Sequence, residues 1–502
     1  MNKFYITTPL YYVNDEPHIG HAYTTILADV ISRSKEMQGF DIFFLTGTDE
    51  HGQKVQEAAN KNNIAPQEHV DKYVERFKNT WDKININYTD FIRTTDQRHT
   101  DRVKDILLFL YEKGEIYQNE YEGLYSVSEE RFITDKEAEE GNFREIKKLK
   151  EKNYFFKMSK YQDKLIDYIN SHPDFIKPES RKNEILGFLD KPLSDLCISR
   201  PKERLSWGIE LPFDSDYVTY VWFDALLNYI TAIGWNKDEK KFNTYWPADY
   251  HLMAKDIITT HGVYWPTMLM ACNISLPKTI FAHGWWLMND IKMSKSIGNV
   301  IKPLDLADEY GSDALRYYLM RNMVIGHDAS FTYETFISRY NSELANDYGN
   351  LVNRILILIS KYFNSKVPKS EKYDDIELDL IASTKQISEQ VMINYNNFKI
   401  HEALKLIMDL FRSVNKYLEV KSPWKLIKDP NNTKQVATTL YLSAEILRIG
   451  TTLIYPVIPE KSKEVFKYLG IEPSFDTSFG QLKEGTTILK PENLFPRIEI
   501  EK

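Results

Sequence analysis

Apolar and polar positions alternate from Phe4 to Thr8 as in a strand, and from His21 to Met37 the period lengthens to that of a helix, with Ala22, Ile26 and Ile31 at helical spacing. A near-continuous apolar run, Ile42 to Leu45, follows and ends in Thr46-Gly47-Thr48-Asp49-Glu50-His51-Gly52. A strand covered on both faces by helices needs such a run. Strand, helix, strand at the start of the chain predicts an α/β fold built on a doubly wound parallel sheet, whose ligands bind beyond the carboxyl ends of the strands. The pattern resumes later. Tyr220-Val221-Trp222-Phe223 reads as extended and leads into a helix from Asp224, His251-Leu252-Met253 leads into another from Asp256, and Thr279-Ile280-Phe281-Ala282 is a further strand.

Between these halves, charge-rich stretches such as Lys147 to Lys152 and aromatic clusters such as Tyr154-Phe155-Phe156 replace the alternation of strand and helix, as in an inserted domain. Beyond about Tyr340 the apolar positions Leu344, Tyr348, Leu351, Ile355, Ile359 and then Ala403, Ile407, Leu410, Val414, Tyr417 recur at helical intervals. They predict an all-α bundle, broken by the polar turn Asn364 to Asp375. The expected division is 1–113 and 215–340 for the two halves of the sheet domain, 114–214 for the insert and 341–502 for the bundle.

At 502 residues the chain suits roughly three domains. No stretch approaches the roughly 18 apolar residues that a membrane helix requires, and Met1-Asn2-Lys3-Phe4-Tyr5-Ile6 lacks a signal-peptide pattern, so a cytoplasmic protein is expected. Only Cys197 and Cys272 occur, with no CxxC pair. A disulfide framework and a thiolate zinc site are thereby excluded, and both thiols read as inert and buried. A formal charge of −8 argues against nonspecific coating of nucleic acid, so any RNA contact must be argued from particular residues.

Two peptides about 275 residues apart carry chemistry. His18-Ile19-Gly20-His21 stands where the first strand gives way to the first helix, beside the free N–H groups of a helix N-terminus, a place that favours phosphate. Lys292-Met293-Ser294-Lys295-Ser296 puts two lysines in a polar segment after the run Thr279 to His283. Alone, the first would be a pair of capping residues and the second a solvated loop. Together they suit the activation of a carboxylate by ATP, which needs no protein nucleophile but does need charge stabilisation on the phosphates. His18 and His21 would act at the α-phosphate, Lys292 and Lys295 on the departing pyrophosphate.

In order and separation the two peptides resemble the signatures of class I aminoacyl-tRNA synthetases. Thr8 to Asn14, Thr46 to Gly52, Tyr220 to Tyr229, Met253 to Pro266, Phe281 to Gly284 and Tyr348 to Arg354 resemble the methionyl-tRNA synthetase family in particular. The resemblance implies a Rossmann-like catalytic domain with an inserted connective domain and a helical anticodon-binding domain. It implies a methionine pocket of Leu10, Tyr12, Asp49, Trp222, Ala225, Leu226, Tyr229, Ile257, His261 and Trp265, with Asp49 on the substrate ammonium. Tyr12 and His261 would offer hydrogen-bond donors that the thioether accepts weakly. For Trp222, Tyr229 and Trp265, ordinary core packing is the competing reading.

ATP, with Mg²⁺ held mainly by its phosphates, would meet His18, Gly20, His21, Lys255, Asp256, His283, Gly284, Lys292, Ser294 and Lys295, although Ala254 replaces the glycine that the family places before Lys255. Asn350 and Arg354, one helical turn apart, and Trp424 behind an expected N-cap Ser422 and N1 Pro423, would read the anticodon CAU. The family often carries a zinc knuckle in the insert. Here Ser126 and Glu129 stand where the first ligand pair would be, and residues 116–170 contain no Cys or His, so no metal is expected and the insert would guide the tRNA acceptor end by its own packing. The expected partners are L-methionine, ATP and tRNA(Met), and since the chain ends soon after Leu494-Phe495-Pro496-Arg497 a monomer is expected. The rivals are a synthetase for isoleucine, valine or leucine, which would carry a larger editing insert, and a noncatalytic tRNA-binding paralogue, which would need none of the two signature peptides.

Overall fold

The computed structural model describes residues 2–13, 16–126, 131–133, 138, 146–293 and 298–499. The first strand is β1 (Lys3–Tyr12), the helix after it α1 (Ile19–Met37) and the next strand β2 (Asp41–Asp49). β1 and β2 pair in parallel, but Thr7 faces Leu45 while Leu10 faces Gly47, so β1 carries one residue more than β2 across that interval. Such a bulge re-aims the side chains beyond it, here Leu10 and Tyr12. A Cβ at Gly47 would lie 2.9 Å from Leu10 Cδ2 on the β1 side and 1.9 Å from the carbonyl oxygen of Ile92 on the other, so only glycine fits between these two neighbours.

The chain continues through β3 (Asp90–Arg93), β4 (Ile116–Ser126), β5 (Arg131–Ile133), β6 (Ile146–Phe156), β7 (Ile176–Lys177), β8 (Leu196–Cys197), β9 (Ser199–Pro201), β10 (Glu210–Leu211) and β11 (Asp214–Thr219), then β12 (Tyr250–Ala254) and β13 (Thr279–His283). The main sheet has the order β3-β2-β1-β12-β13-β7, and every pairing in it is parallel. Strands run outward from β1 to β3 on one side and from β12 to β13 on the other, so the switch point lies between β1 and β12. β7, from the expected insert, forms one edge of this sheet. β5-β4-β6-β8 and β10-β11-β9 are smaller antiparallel sheets.

Two compact units result: Met1–Pro17 with Phe40–Asn79 and Asn87–His283, and His18–Gly39 with Thr80–Ile86 and Gly284–Lys502. In the first, Tyr5, Phe43, Leu45 and Ile92 of the sheet share one core with Val103, Ile106 and Leu110 of helix Gln97–Glu112 and with Leu165, Ile169, Ile176 and Ile185. Each such side chain contributes about 1.5–3 kcal/mol on burial.

In the second unit a small sheet, β14 (Trp286–Met288), β15 (Ile291–Lys292) and β16 (Ala329–Phe331), precedes helices Asn350–Tyr362, Asp375–Asn396, Ile400–Lys421 and Thr433–Ile454. The last is buried on all sides from Val436 to Ile454, as a helix at the centre of a bundle must be. Its buried Glu445 is satisfied by Arg448 and by the backbone N–H groups of Gly480, Gln481 and Leu482. The buried guanidinium of Arg316 likewise meets Asp29 of α1 at 2.5 Å and the carbonyls of Ile84, Pro456 and Val457. A charge in such a place is tolerated only when fully paired.

Some local expectations change. The run Tyr220–Phe223 is not a strand: helix Val221–Leu226 has already begun, with Tyr220 as its extended N-cap residue. A short run that is apolar throughout has no period that separates the two states. The helix expected from Asp256 is a 3₁₀ turn, Lys255–Ile257, then a π-helical stretch, Thr260–Tyr264, then helix Trp265–Ala271. Ser422 does not cap the next turn with its side chain. It is the left-handed residue, φ 42°, that ends Ile400–Lys421, and its hydroxyl donates back to the Glu419 carbonyl at 2.7 Å, while Pro423 opens Pro423–Leu426 as expected. The two cysteines are half-buried, not buried. Desolvation still raises both thiols, that of Cys272 to about 12, so neither is a thiolate at neutral pH. Among the described residues no helix is long and apolar enough to cross a membrane.

Candidate active site

In the first unit, four neighbouring strands bring candidate residues to one edge of the sheet. Tyr12 ends β1, Asp49 ends β2, Lys255 and Asp256 follow the end of β12, and His283 ends β13. This is the carboxyl edge, where an open α/β sheet binds its ligands. Asp49 is 2% exposed. Its neighbour Glu50 is committed to structure: it accepts from Nε and Nη2 of Arg93 at 2.7 and 2.9 Å and from the hydroxyls of Thr48 and Thr95 at 2.6 Å each.

The residues assigned to the amino-acid pocket fall into a buried wall and a half-buried rim. Ala225, Leu226, Tyr229, His261 and Trp265 form the wall, and Leu10, Tyr12, Trp222 and Ile257 remain half-buried. Tyr12 and Trp222 meet edge to face at 6.2 Å, Tyr229 and Trp265 at 5.7 Å. Tyr229 and Trp265 are fully buried, as core packing requires, and Trp222 alone of the three aromatics keeps a half-exposed face.

His261 departs from its expected role. Its Nδ1 lies 3.0 Å from the Ile257 carbonyl and its Nε2 2.7 Å from the Tyr229 hydroxyl. A carbonyl only accepts, so the proton sits on Nδ1 and Nε2 accepts from tyrosine. Desolvation lowers this imidazole to about 4, which keeps it neutral. It has no N–H left for a thioether and instead orients Tyr229. Trp265 similarly donates to Nε2 of buried His251 at 3.3 Å, and His251 Nδ1 meets Thr7 at 2.8 Å.

One constellation was missed. Asp224, wholly buried in helix Val221–Leu226, meets Nδ1 of His51 at 2.6 Å and Nε2 of His99 at 2.7 Å, and His99 Nδ1 meets the Thr231 hydroxyl at 2.8 Å. Burial raises the Asp224 carboxyl, and the two imidazoles more than reverse this, leaving it below its ordinary value. The signal was available: an acid inside the apolar string Val221-Trp222-Phe223-Asp224-Ala225-Leu226 must be paired if that string is buried.

In the second unit His18 caps α1. Its Nδ1 accepts from Gly20 N at 3.0 Å, the Nδ1 of His21 accepts from His18 N at 3.3 Å, and the rings stack 3.7 Å apart. With its Nδ1 lone pair engaged, either ring in its neutral form carries the proton on Nε2. Gly20 keeps the turn open, since a Cβ there would lie 2.9 Å from His18 Cε1. Lys292 rests its ammonium 3.9 Å from the centre of the Trp285 ring. Gly284 stands where a Cβ would meet the His327 carbonyl oxygen at 2.0 Å, a packing reason for glycine independent of any nucleotide. Ser294 and Lys295 lie outside the described residues.

Elsewhere in that unit, Arg354 stands 6.0 Å from the ring of Trp424 and 3.5 Å from Asn415, and Asn350 donates to Asn346 at 3.2 Å. A zinc knuckle does not fit the insert. Ser126 is buried at the end of β4, opposite Arg131, and a serine hydroxyl is a poor substitute for thiolate; Glu129 lies outside the described residues.

Comparison with known proteins closes the question of family. The family profile for class I tRNA synthetases (M) matches residues 4–142 and 140–356, and that for the anticodon binding domain of methionyl tRNA ligase matches 367–502. The methionine–tRNA ligase of Caldanaerobacter subterraneus subsp. tengcongensis is 46% identical over 508 residues, covering 99% of this chain and 79% of the relative; that of Clostridium acetobutylicum is 46% identical over 511, covering 100% and 79%. Among solved structures, Mycobacterium tuberculosis methionyl-tRNA synthetase in complex with methionyl-adenylate matches with TM-score 0.95 at 38% identity, covering 99% of this chain and 100% of that one. Its apo form matches at 0.88 and 36%, covering 100% and 99%. With both the sheet of strand-end residues and the helical bundle matched along its length, this chain belongs to the methionyl-tRNA synthetases of class I.

Proposed function

We infer that the chain activates L-methionine with MgATP, forming methionyl-adenylate and releasing pyrophosphate, and then transfers the methionyl group to the 2′-hydroxyl of the terminal adenosine of tRNA(Met), releasing AMP. The full-length likeness to methionine–tRNA ligases carries this reading. In the first step the methionine carboxylate attacks the α-phosphorus, and the bond to the bridging oxygen of pyrophosphate breaks. Asp49 takes the substrate ammonium by a charge-assisted hydrogen bond. The aromatic wall of Tyr229 and Trp265 and the rim of Tyr12 and Trp222 suit a polarizable thioether, with Tyr12 as its donor. His18 and His21 donate from Nε2 to the α-phosphate, and Lys292 and Lys295 neutralise the departing pyrophosphate. Lys255, Asp256, His283 and Gly284 serve the rest of the nucleotide.

Residues 1–113 and 215–340 are assigned to this chemistry, 114–214 to the acceptor end and 341–502 to the anticodon, read by Asn350, Arg354 and Trp424. The enzyme acts as a cytoplasmic monomer. Methionine alone among the protein amino acids is expected to drive ATP–pyrophosphate exchange. Exchange with isoleucine, leucine or valine would indicate a different class I synthetase, and none at all a noncatalytic binder.

The insert holds no structural zinc. Purified protein is expected to contain well under one zinc per chain and to keep its exchange activity after chelation of zinc and return of Mg²⁺. Metal analysis giving about one tightly bound zinc, with activity lost on its removal, contradicts this.

A further inference from the structure

The buried chain His51–Asp224–His99–Thr231 serves none of the steps above, yet its members stand beside pocket residues on the segment after β2 and on the two short helices that carry Trp222, Ala225, Leu226 and Tyr229. His51 comes two residues after Asp49 at the end of β2. Asp224 lies between Trp222 and Ala225 in helix Val221–Leu226, and Thr231 belongs to the helix Asn228–Thr231 that carries Tyr229. His99 lies in Gln97–Glu112, a helix whose Val103, Ile106 and Leu110 are locked into the core. Three chain segments with no backbone pairing among their pocket residues are thus joined through one carboxylate, both of whose oxygens are engaged, at 2.6 and 2.7 Å. The Asn228 side chain adds a bond of 2.6 Å to the Ala225 carbonyl, tying the two short helices together.

We propose that Asp224 is a positioning residue for amino-acid selection: through His51 and His99 it fixes the distance between Asp49, which would hold the ammonium, and the wall of Trp222, Ala225, Leu226 and Tyr229, which would hold the side chain. The proposal rests on the pocket assignment made above. Its physical basis is leverage. A ligand gripped at both ends fits only if the span between the grips is constant, and a misplacement of about 1 Å can cost on the order of a hundredfold in rate. Asp224 itself touches no substrate.

The test measures KM for methionine and for ATP, together with the concentration of active sites, in exchange assays on Asp224→Asn, His99→Leu and His99→Gln, with Asp49→Asn as the reference for the pocket. Expected are a methionine KM raised about tenfold or more in Asp224→Asn and His99→Leu, an ATP KM within about twofold, and a narrowed preference for methionine over ethionine, one methylene longer. His99→Gln, which keeps an N–H donor, is expected to restore most of the methionine KM. If Asp49→Asn raises the methionine KM while the Asp224 and His99 variants lose only active-site concentration or thermal midpoint at unchanged KM, the network is structural and the proposal is overturned. If Asp49→Asn itself leaves KM unchanged, the pocket assignment fails, and the proposal with it. Should Asp224→Asn not fold, His51→Leu and His51→Gln, at the less enclosed end of the network, decide by the same comparison.

Discussion

Replacing His21 by alanine is expected to slow methionine-dependent pyrophosphate exchange by about a hundred- to a thousandfold, while equilibrium binding of methionine stays within about threefold. The size follows from the loss of one donor aimed at charge that develops in the transition state. Two roles must be separated, because His21 also accepts from the backbone N–H of His18 and so completes a capping box on α1. Loss of a cap costs about 0.5–2 kcal/mol of stability, which could mimic a modest fall in activity. Glu is a natural partner at that position of the box, so His21→Glu keeps an acceptor for the backbone while removing every N–H donor. Exchange in His21→Glu is expected to remain as low as in His21→Ala, with the thermal midpoint recovered. A His21→Glu enzyme within about threefold of wild type would mean that capping is the whole function of this ring.

The second large effect belongs to the helical region. Trp424→Ala is expected to lower kcat/KM for tRNA(Met) by roughly ten- to a hundredfold or more while exchange without tRNA is nearly unchanged, since a base stacked on an aromatic ring is worth about 1–3 kcal/mol. Half-buried in Pro423–Leu426 and 6.0 Å from the Arg354 guanidinium, the indole has an exposed part on which a base can stack beside a cation. Charging and exchange should be measured on the same preparations, along with the thermal midpoint. Equal losses in both reactions would make Trp424 a packing residue and end its assignment to the anticodon.

Much of the sheet was legible from pattern. β1, β2, β12 and β13 coincide with alternating or continuous apolar runs because a strand's environment repeats every residue or every second residue along the chain itself. The helices Asn350–Tyr362 and Ile400–Lys421 follow from the same kind of local rule, matching the periodic positions Leu351 to Ile359 and Ala403 to Tyr417, whereas Thr433–Ile454, buried on all sides, has no such period. Where the environment is uniform, the pattern fell silent. Tyr220–Phe223 is apolar throughout and buried except for a half-exposed Trp222, so strand and helix were equally compatible with it, and only the contacts of helix Val221–Leu226 decide. The π-helical stretch Thr260–Tyr264 has no period that marks it either, and it is what carries His261 to Tyr229.

By itself, the sequence determined the class of fold, the order of its elements and the residue types that could act on phosphate, because these depend on local periodicity and on the chemistry of single side chains. Tertiary structure alone decided that His261 has no donor to offer, since a carbonyl and a hydroxyl from two different segments take both its nitrogens, whereas the Nδ1 atoms of His18 and His21 are engaged locally, at the start of α1. It also decided that Asp224 binds His51 and His99, partners 173 and 125 residues away in the chain. Hydrogen bonds act over about 3 Å, and which groups come within that range is fixed by packing over the whole unit, of which no stretch of chain carries a local record.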